Sequence, residues 1–135
     1  MAERFYLDTS IWLDFLEKRG KHGESALKLI EKIILDGDII LYSFNVIHEL
    51  KNLGYSAEEI SELMSIAKPD NIKNVNINKL QLDEAKKLAL ERNIPRRDAF
   101  HAVIVRDNEA ILITRDYHFQ KLKDIAIPKL PEDFI

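Results

Sequence analysis

Apolar residues in this chain fall into two recurring patterns, short continuous runs and longer stretches with helical spacing. Phe5-Tyr6-Leu7 is a buried-strand run that ends at Asp8-Thr9-Ser10. Ile11, Trp12, Phe15 and Leu16 then recur on one face of a helix. Ala26, Leu27, Ile30, Ile33 and Ile34 predict a second helix, and Gly37 suits its left-handed stop. Residues 38–42 read as the second strand. Ser43 is placed to cap a helix running through Leu53, with Gly54 at its end. Ser56-Ala57-Glu58-Glu59 has the form of a capping box, followed by Ile60, Leu63, Met64 and Ala67 at helical spacing. Ile72 to Ile77 predicts a third strand. Asn78 caps a helix buried through Leu82, Ala85, Leu88 and Ala89, and Pro95 prepares another from about Arg97 to Asp107. Ile111 to Thr114 reads as the fourth strand, Tyr117 to Leu122 as a short helix, and Ile125 to Ile127 as a fifth strand before an extended tail.

Strands that are apolar throughout, alternating with amphipathic helices, predict a parallel sheet covered on both faces. The expected class is therefore α/β, a three-layer α/β/α sandwich around a central parallel sheet. No repeat, low-complexity tract or linker interrupts the 135 residues, so residues 1–135 are read as a single domain. No apolar run reaches the length of a membrane span and no signal-peptide pattern opens the chain, which predicts cytoplasmic residence and no membrane partner. The absence of cysteine removes disulfides, thiolate zinc sites and cysteine nucleophiles together. With four glycines and no glycine-rich phosphate loop, an NTPase or dinucleotide enzyme is disfavoured. A net charge of −3 does not point to nucleic acid, although an acidic site can mask basic patches elsewhere.

Four carboxylates break the apolar pattern: Asp8, Glu49, Asp98 and Asp116. Isolated buried acids are costly, so convergent ones usually share a cation or a reaction. In open parallel sheets ligands bind beyond the carboxyl ends of strands, where the strand order reverses. Asp8 and Asp116 follow strand ends, and Glu49 lies two turns into the helix after the second strand. The pattern brings these three to one rim and leaves the position of Asp98 open. Each acid also has a plain structural reading: helix caps for Asp8 and Asp98, a turn for Asp116, a solvent-facing position for Glu49. Asp14 reads as part of a solvated helix face. The pairs Asp98 with His101 and Asp116 with His118 raise a zinc or manganese phosphatase site, but no His-Glu-x-x-His spacing supports it. A phosphoacceptor receiver domain would need an aspartate after the third strand and a lysine after the last, and neither is evident.

Tyr6-Leu7-Asp8-Thr9-Ser10-Ile11-Trp12 resembles the opening motif of the PIN-domain ribonucleases. Ser43 through Glu49 and Leu50 resembles their second acidic helix, Arg97-Asp98-Ala99-Phe100-His101-Ala102 the third motif, and Leu112-Ile113-Thr114-Arg115-Asp116 with Phe119 the fourth. Arg96 and Arg97 depart from the less charged approach to the third acid that is common in the family. The resemblance implies a parallel sheet of order 3-2-1-4-5 and an acidic cluster completed by Asp98. Two carboxylates about 5 Å apart repel by roughly 3 kcal/mol at an effective dielectric near 20, so four together take up protons or a divalent ion. With oxygen ligands, Mg²⁺ or Mn²⁺ is the expected occupant. The implied activity is hydrolysis of RNA phosphodiester bonds by a metal-activated water, with Asp8, Glu49, Asp98 and Asp116 as direct or water-mediated ligands. Ser10 and Thr114 are expected to orient carboxylates or metal waters. Arg97 and Arg115 are expected at RNA phosphates, and Tyr117 is the candidate for stacking on a base. The length is similar to that of VapC-type toxins, implying a small antitoxin as partner and a homodimer through exposed apolar faces of the second and fourth helices. A housekeeping RNA-processing nuclease and a non-catalytic binding or assembly module are the alternatives.

Overall fold

The structure, a computed structural model, describes residues 2–67 and 69–135, without the side chain of Pro69. Its strands are β1 (Arg4–Leu7), β2 (Ile39–Ser43), β3 (Ile72–Val75), β4 (Ile111–Ile113) and β5 (Pro128–Lys129). Its helices are α1 (Thr9–Leu16), α2 (Gly20–Leu35), α3 (Phe44–Asn52), α4 (Ala57–Met64), α5 (Lys79–Arg92) and α6 (Arg96–Asp107). All five strands are parallel, in the order β3-β2-β1-β4-β5. This is the sheet order that the resemblance implied.

The chain moves from β1 outward through β2 to β3, then crosses back to β4 on the other side of β1. Right-handed crossovers therefore place α1 to α4 on one face of the sheet and α5 with α6 on the other. Helix contacts follow that division, with α1 against α2 and α3, α3 against α4, and α5 against α6. The exception is useful: α3 also touches α6, the two meeting past the ends of the strands. The reversal of direction lies between β1 and β4, where Asp8 donates its backbone N–H to the Ile113 carbonyl at 3.1 Å.

Tyr6, Leu7, Ile40, Leu112 and Ile113 form the buried sheet surface, and Ile11, Trp12, Leu29, Ile33, Leu50 and Ile104 pack over it without exposure. Each such aliphatic side chain contributes about 1.5–3 kcal/mol through its removal from water. The sequence-predicted capping box forms at Ser56 with Glu59, and the predicted cap Asn78 makes a second box with Gln81. Gly37 and Gly54 take the left-handed conformation after their helices, at φ 74° and 100°.

Several local expectations are corrected. The fifth strand is Pro128–Lys129, not Ile125 to Ile127, because the N–H groups of Ile125 and Ala126 both turn back to the Leu122 carbonyl at 2.9 Å. Proline opens that strand, which suits a sheet edge. The third strand stops at Val75, before Ile77. Ser43 occupies the cap position of α3 but its side chain makes no capping bond. Tyr117–Leu122 is 3₁₀ rather than α-helical. On α2, Leu27 points outward, and the buried stripe runs through Ala26, Leu29, Ile30 and Ile33. Leu53 is exposed as well. The expected apolar outer face of the fourth helix is absent: α4 buries Ile60, Leu63 and Met64 and presents Glu58, Glu59 and Glu62 outward. Among the described residues no helix is long and apolar enough to cross a membrane.

Candidate active site

Asp8 leaves β1 and immediately caps α1. Its Oδ1 accepts the Ser10 backbone N–H and the Ser10 hydroxyl, both at 2.6 Å. Its Oδ2 accepts the Thr114 hydroxyl at 2.5 Å, and the same Thr114 oxygen accepts the Asp116 N–H at 3.0 Å. One threonine thus fixes the first and last of the four cleft acids relative to each other. Burial drives the Asp8 carboxyl above its ordinary range, against the pull of His101 and of the Ser10 and Thr114 bonds. The capping role and the placement at the rim are served by the same side chain.

Glu49 comes from α3 and reaches across to α6. Its Oε1 lies 3.1 Å from His101 Nε2, and its Oε2 accepts the Thr9 hydroxyl. Burial opposes ionisation, but His101, Thr9 and the charge of Arg97 outweigh it and hold the carboxyl below its usual range. On its other side His101 Nδ1 is 2.5 Å from the Tyr6 hydroxyl, which is 2.7 Å from Ser43 Oγ. A carboxylate can only accept, so Nε2 carries a proton. With the ring neutral, Tyr6 donates to Nδ1 and accepts from Ser43. This explains why Ser43 does not cap α3. Burial pushes the Tyr6 phenol far up its scale, so it stays a neutral donor.

Asp98 lies in the first turn of α6, nearly inaccessible, and its Oδ2 has no hydrogen-bond partner. Burial and then the charge of Asp116 push its pKa up to about 6, with His101 and Arg97 opposing. Asp116 caps the 3₁₀ segment after β4, its Oδ1 accepting the His118 N–H at 2.9 Å. His118 Nδ1 sits 2.8 Å from Asp116 Oδ1 and 3.5 Å from Asp98 Oδ2.

All four acids singled out in the sequence line one cleft of about 310 Å³, together with Ser10, Arg97 and His101. Arg115 does not line it. Its guanidinium lies 2.8 Å from Glu132 and 3.4 Å from Asp14, a tie between the C-terminal turn and α1. Asp14 is accordingly buried, not on a solvated face. Thr114 touches both Asp8 and Asp116, and Ser10 touches Asp8. Tyr117 is exposed and stacks on the His118 ring, centroids 4.4 Å apart.

Within the cleft the acids are not equivalent. Ligand atoms of Asp98, Asp116 and His118 lie within 4.8 Å of one another, the one such group among the described residues. Asp8 and Glu49 stand outside it, each hydrogen-bonded on both carboxylate oxygens. A buried, unpartnered Asp98 oxygen costs on the order of 1–3 kcal/mol or more, and a cation would relieve it. A set of carboxylates with one imidazole suits a divalent ion of the magnesium or manganese kind. Tyr6 and Thr9 enter the sequence reading only within the opening motif, and His101 and His118 are weighed there as metal partners of Asp98 and Asp116 and set aside. Their spacings, three residues from Asp98 and two from Asp116, are the available signal.

Residues 5–125 match the sequence model of the PIN domain. No curated protein matches the sequence. Among solved structures the chain is similar to VapBC2 from Rickettsia felis, described as bound to a DNA fragment from their promoter, with a TM-score of 0.70 and 17% identity over 94% of this chain and 98% of that one. It is similar to VapBC-1 from nontypeable Haemophilus influenzae at a TM-score of 0.66 and 18% identity, over 96% and 98% of the two chains. A toxin–antitoxin complex from Klebsiella pneumoniae gives a TM-score of 0.61 and 18% identity over 94% and 97%. At such identities the likeness is one of fold. The family match runs from the first strand past Asp116 and takes in every acid of the cleft, and on that match the chain belongs to the PIN domain family.

Proposed function

We propose that this protein is a metal-dependent endoribonuclease that hydrolyses RNA phosphodiester bonds, acting as the toxin of a toxin–antitoxin pair. The observation that carries the reading is the convergence of Asp8, Glu49, Asp98 and Asp116 on one cleft at the switch point of the sheet. The toxin assignment draws on structural neighbours described as VapBC or toxin–antitoxin complexes. The partner would be a small antitoxin. A homodimer would use the outward Leu27 and Leu35 of α2.

Asp98 and Asp116 would hold Mg²⁺ or Mn²⁺ directly, with Asp8 and Glu49 reached through water. An ion held there would supply the acidity that makes a water nucleophilic toward phosphorus and positive charge for the departing oxygen. Ser10 and Thr114 keep Asp8 aimed into the cleft, and Thr9 with His101 does the same for Glu49. Glu49, held ionised by His101, Thr9 and Arg97, would keep a fixed negative charge beside the ion and its waters. Arg97, on the lip of the cleft, would meet an RNA phosphate, and Tyr117 offers an exposed face to a base.

The test incubates purified protein with end-labelled structured RNAs and Mg²⁺, Mn²⁺ or chelator, beside Asp8→Asn and Asp116→Asn. Cleavage that needs the metal and is lost in both variants supports the proposal. Metal-independent cleavage, or equal cleavage by the variants, overturns it. No cleavage of any RNA while metal still binds turns the reading toward a non-catalytic binding module.

A further inference from the structure

We propose that His118 gives the cation a nitrogen ligand, making this a mixed carboxylate–imidazole site that favours Mn²⁺ over Mg²⁺. The inference rests on the metal-nuclease reading above and goes further, because the acids alone would form an oxygen-only site.

The first support is spacing. His118 Nδ1 lies 2.8 Å from Asp116 Oδ1 and 3.5 Å from Asp98 Oδ2. Adjacent ligand atoms around an octahedral ion with bonds of about 2.1 Å are roughly 3.0 Å apart. The nitrogen therefore already stands at ligand distance from both carboxylates.

The second support is independent of spacing. Asp98 Oδ2 and His118 Nδ1 are both shielded from solvent and both lack a hydrogen-bond partner. Nδ1 is close to Asp116, but the contact is misdirected for a hydrogen bond. Two unpaired polar atoms facing each other across a short gap are a recurrent cost unless something between them is bound. The Asp98 side chain is only 3% exposed, so the orphaned oxygen is enclosed at the floor of the cleft.

The ring is also held in place. The His118 backbone N–H is bonded to Asp116, Tyr117 stacks on the imidazole at an interplanar angle of 29°, and the 3₁₀ segment rests on α6, which carries Asp98. An imidazole nitrogen is a ligand that manganese and later first-row ions accept readily, whereas Mg²⁺ holds to oxygen and keeps its waters. Donor identity thus predicts selectivity. Without metal, the same three groups would form a carboxylate–imidazole ion pair, which is the competing explanation.

The experiment uses the full chain loaded with Mn²⁺. Pulsed EPR reads directly bound ¹⁴N on the manganese of the wild type, and His118→Ala abolishes that signal while His101 remains in place. Titration of Mn²⁺, with Mg²⁺ as competitor, shows the Mn²⁺ Kd weakened at least about tenfold in His118→Ala and His118→Asn, with a much smaller change for Mg²⁺. Asp98→Asn weakens both ions. If Mn²⁺ binds with no nitrogen coupling, or the Mn²⁺ to Mg²⁺ affinity ratio is unchanged in both His118 variants, the ion pair is the correct account and the nuclease reading stands. If the wild type binds neither ion, the nuclease reading falls with it.

Discussion

His101 Nε2 stands 3.1 Å from Glu49 Oε1 while its Nδ1 stands 2.5 Å from the Tyr6 hydroxyl, so one buried imidazole joins α3, α6 and β1. The acid is held by a ring that is itself held from the sheet. Ser43 completes the series from the end of β2.

Removing links from that series should cost stability in a definite order. Tyr6→Phe keeps the volume and leaves His101 Nδ1 and Ser43 each one partner short, at about 1–2 kcal/mol. His101→Ala adds a cavity and strips Glu49 of its donor, at about 2–4 kcal/mol. Urea denaturation should rank wild type above Tyr6→Phe and Tyr6→Phe above His101→Ala. Equal midpoints for all three would refute the linked arrangement.

Thr114 donates to Asp8 and accepts from Asp116, so Thr114→Val should orphan the Asp116 N–H and loosen both acids. Metal affinity or cleavage is expected to fall about 10–100-fold, with Thr114→Ser retaining most of it. A serine variant as impaired as the valine one would show that the methyl group, not the hydroxyl, matters.

Asp98 gives the pH dependence. Its folded pKa, about 6, lies above the ordinary 3.8, so the folded protein binds this proton more tightly than the unfolded chain. The stability it contributes is fully present below the unfolded value and is lost as pH rises through about 6. In metal-free buffer Asp98→Asn should match the wild type near pH 4 and exceed it by about 1–3 kcal/mol above pH 7. Mn²⁺ at about a hundredfold over its Kd should offset that gap by stabilising the wild type about 2.7 kcal/mol. Thermal melts across pH with chelator, then with Mn²⁺, read both effects; a pH-independent difference would remove Asp98 as the titrating group.

Gly23 sits inside α2 against the loop that follows α1. A Cβ there would meet the Asp14 carbonyl oxygen at 2.8 Å and the Lys18 backbone at 3.1 Å. Alanine normally improves a helix interior by about 1 kcal/mol over glycine, but overpacking against backbone costs about 1–3 kcal/mol. Gly23→Ala should therefore lower the melting temperature. A higher one would mean that the two segments stand further apart than described.

Periodicity in the sequence carried most of the architecture, because strands such as Phe5-Tyr6-Leu7 are buried on both faces and helices such as α5 have explicit caps. Strand order needed the family resemblance, since nothing local distinguishes a step to the left of β1 from one to the right. β5 was misplaced because two residues beginning with proline have no apolar signature, and only pairing with β4 defines them. Ser43 was read as a cap because local partners are visible in sequence, whereas Tyr6 is 37 positions away. For the same reason His101 and His118 stand out beside Asp98 and Asp116 but are set aside: a histidine's distant partners, such as Glu49 at a separation of 52, leave no periodic trace. Arg115 illustrates the same limit from the other side, a cation beside an acid in sequence whose side chain turns to Asp14 and Glu132.

The bond from Thr114 to Asp8 spans 106 positions of the chain. A polypeptide emerging N-terminus first builds β1, α1 and α3 early, yet its first acid lacks an anchor until the segment after β4 has been made. Partial products of synthesis, and fragments clipped anywhere ahead of Thr114, therefore lack the finished cleft. Its completion waits until the segment that carries Thr114 and Asp116 has been made.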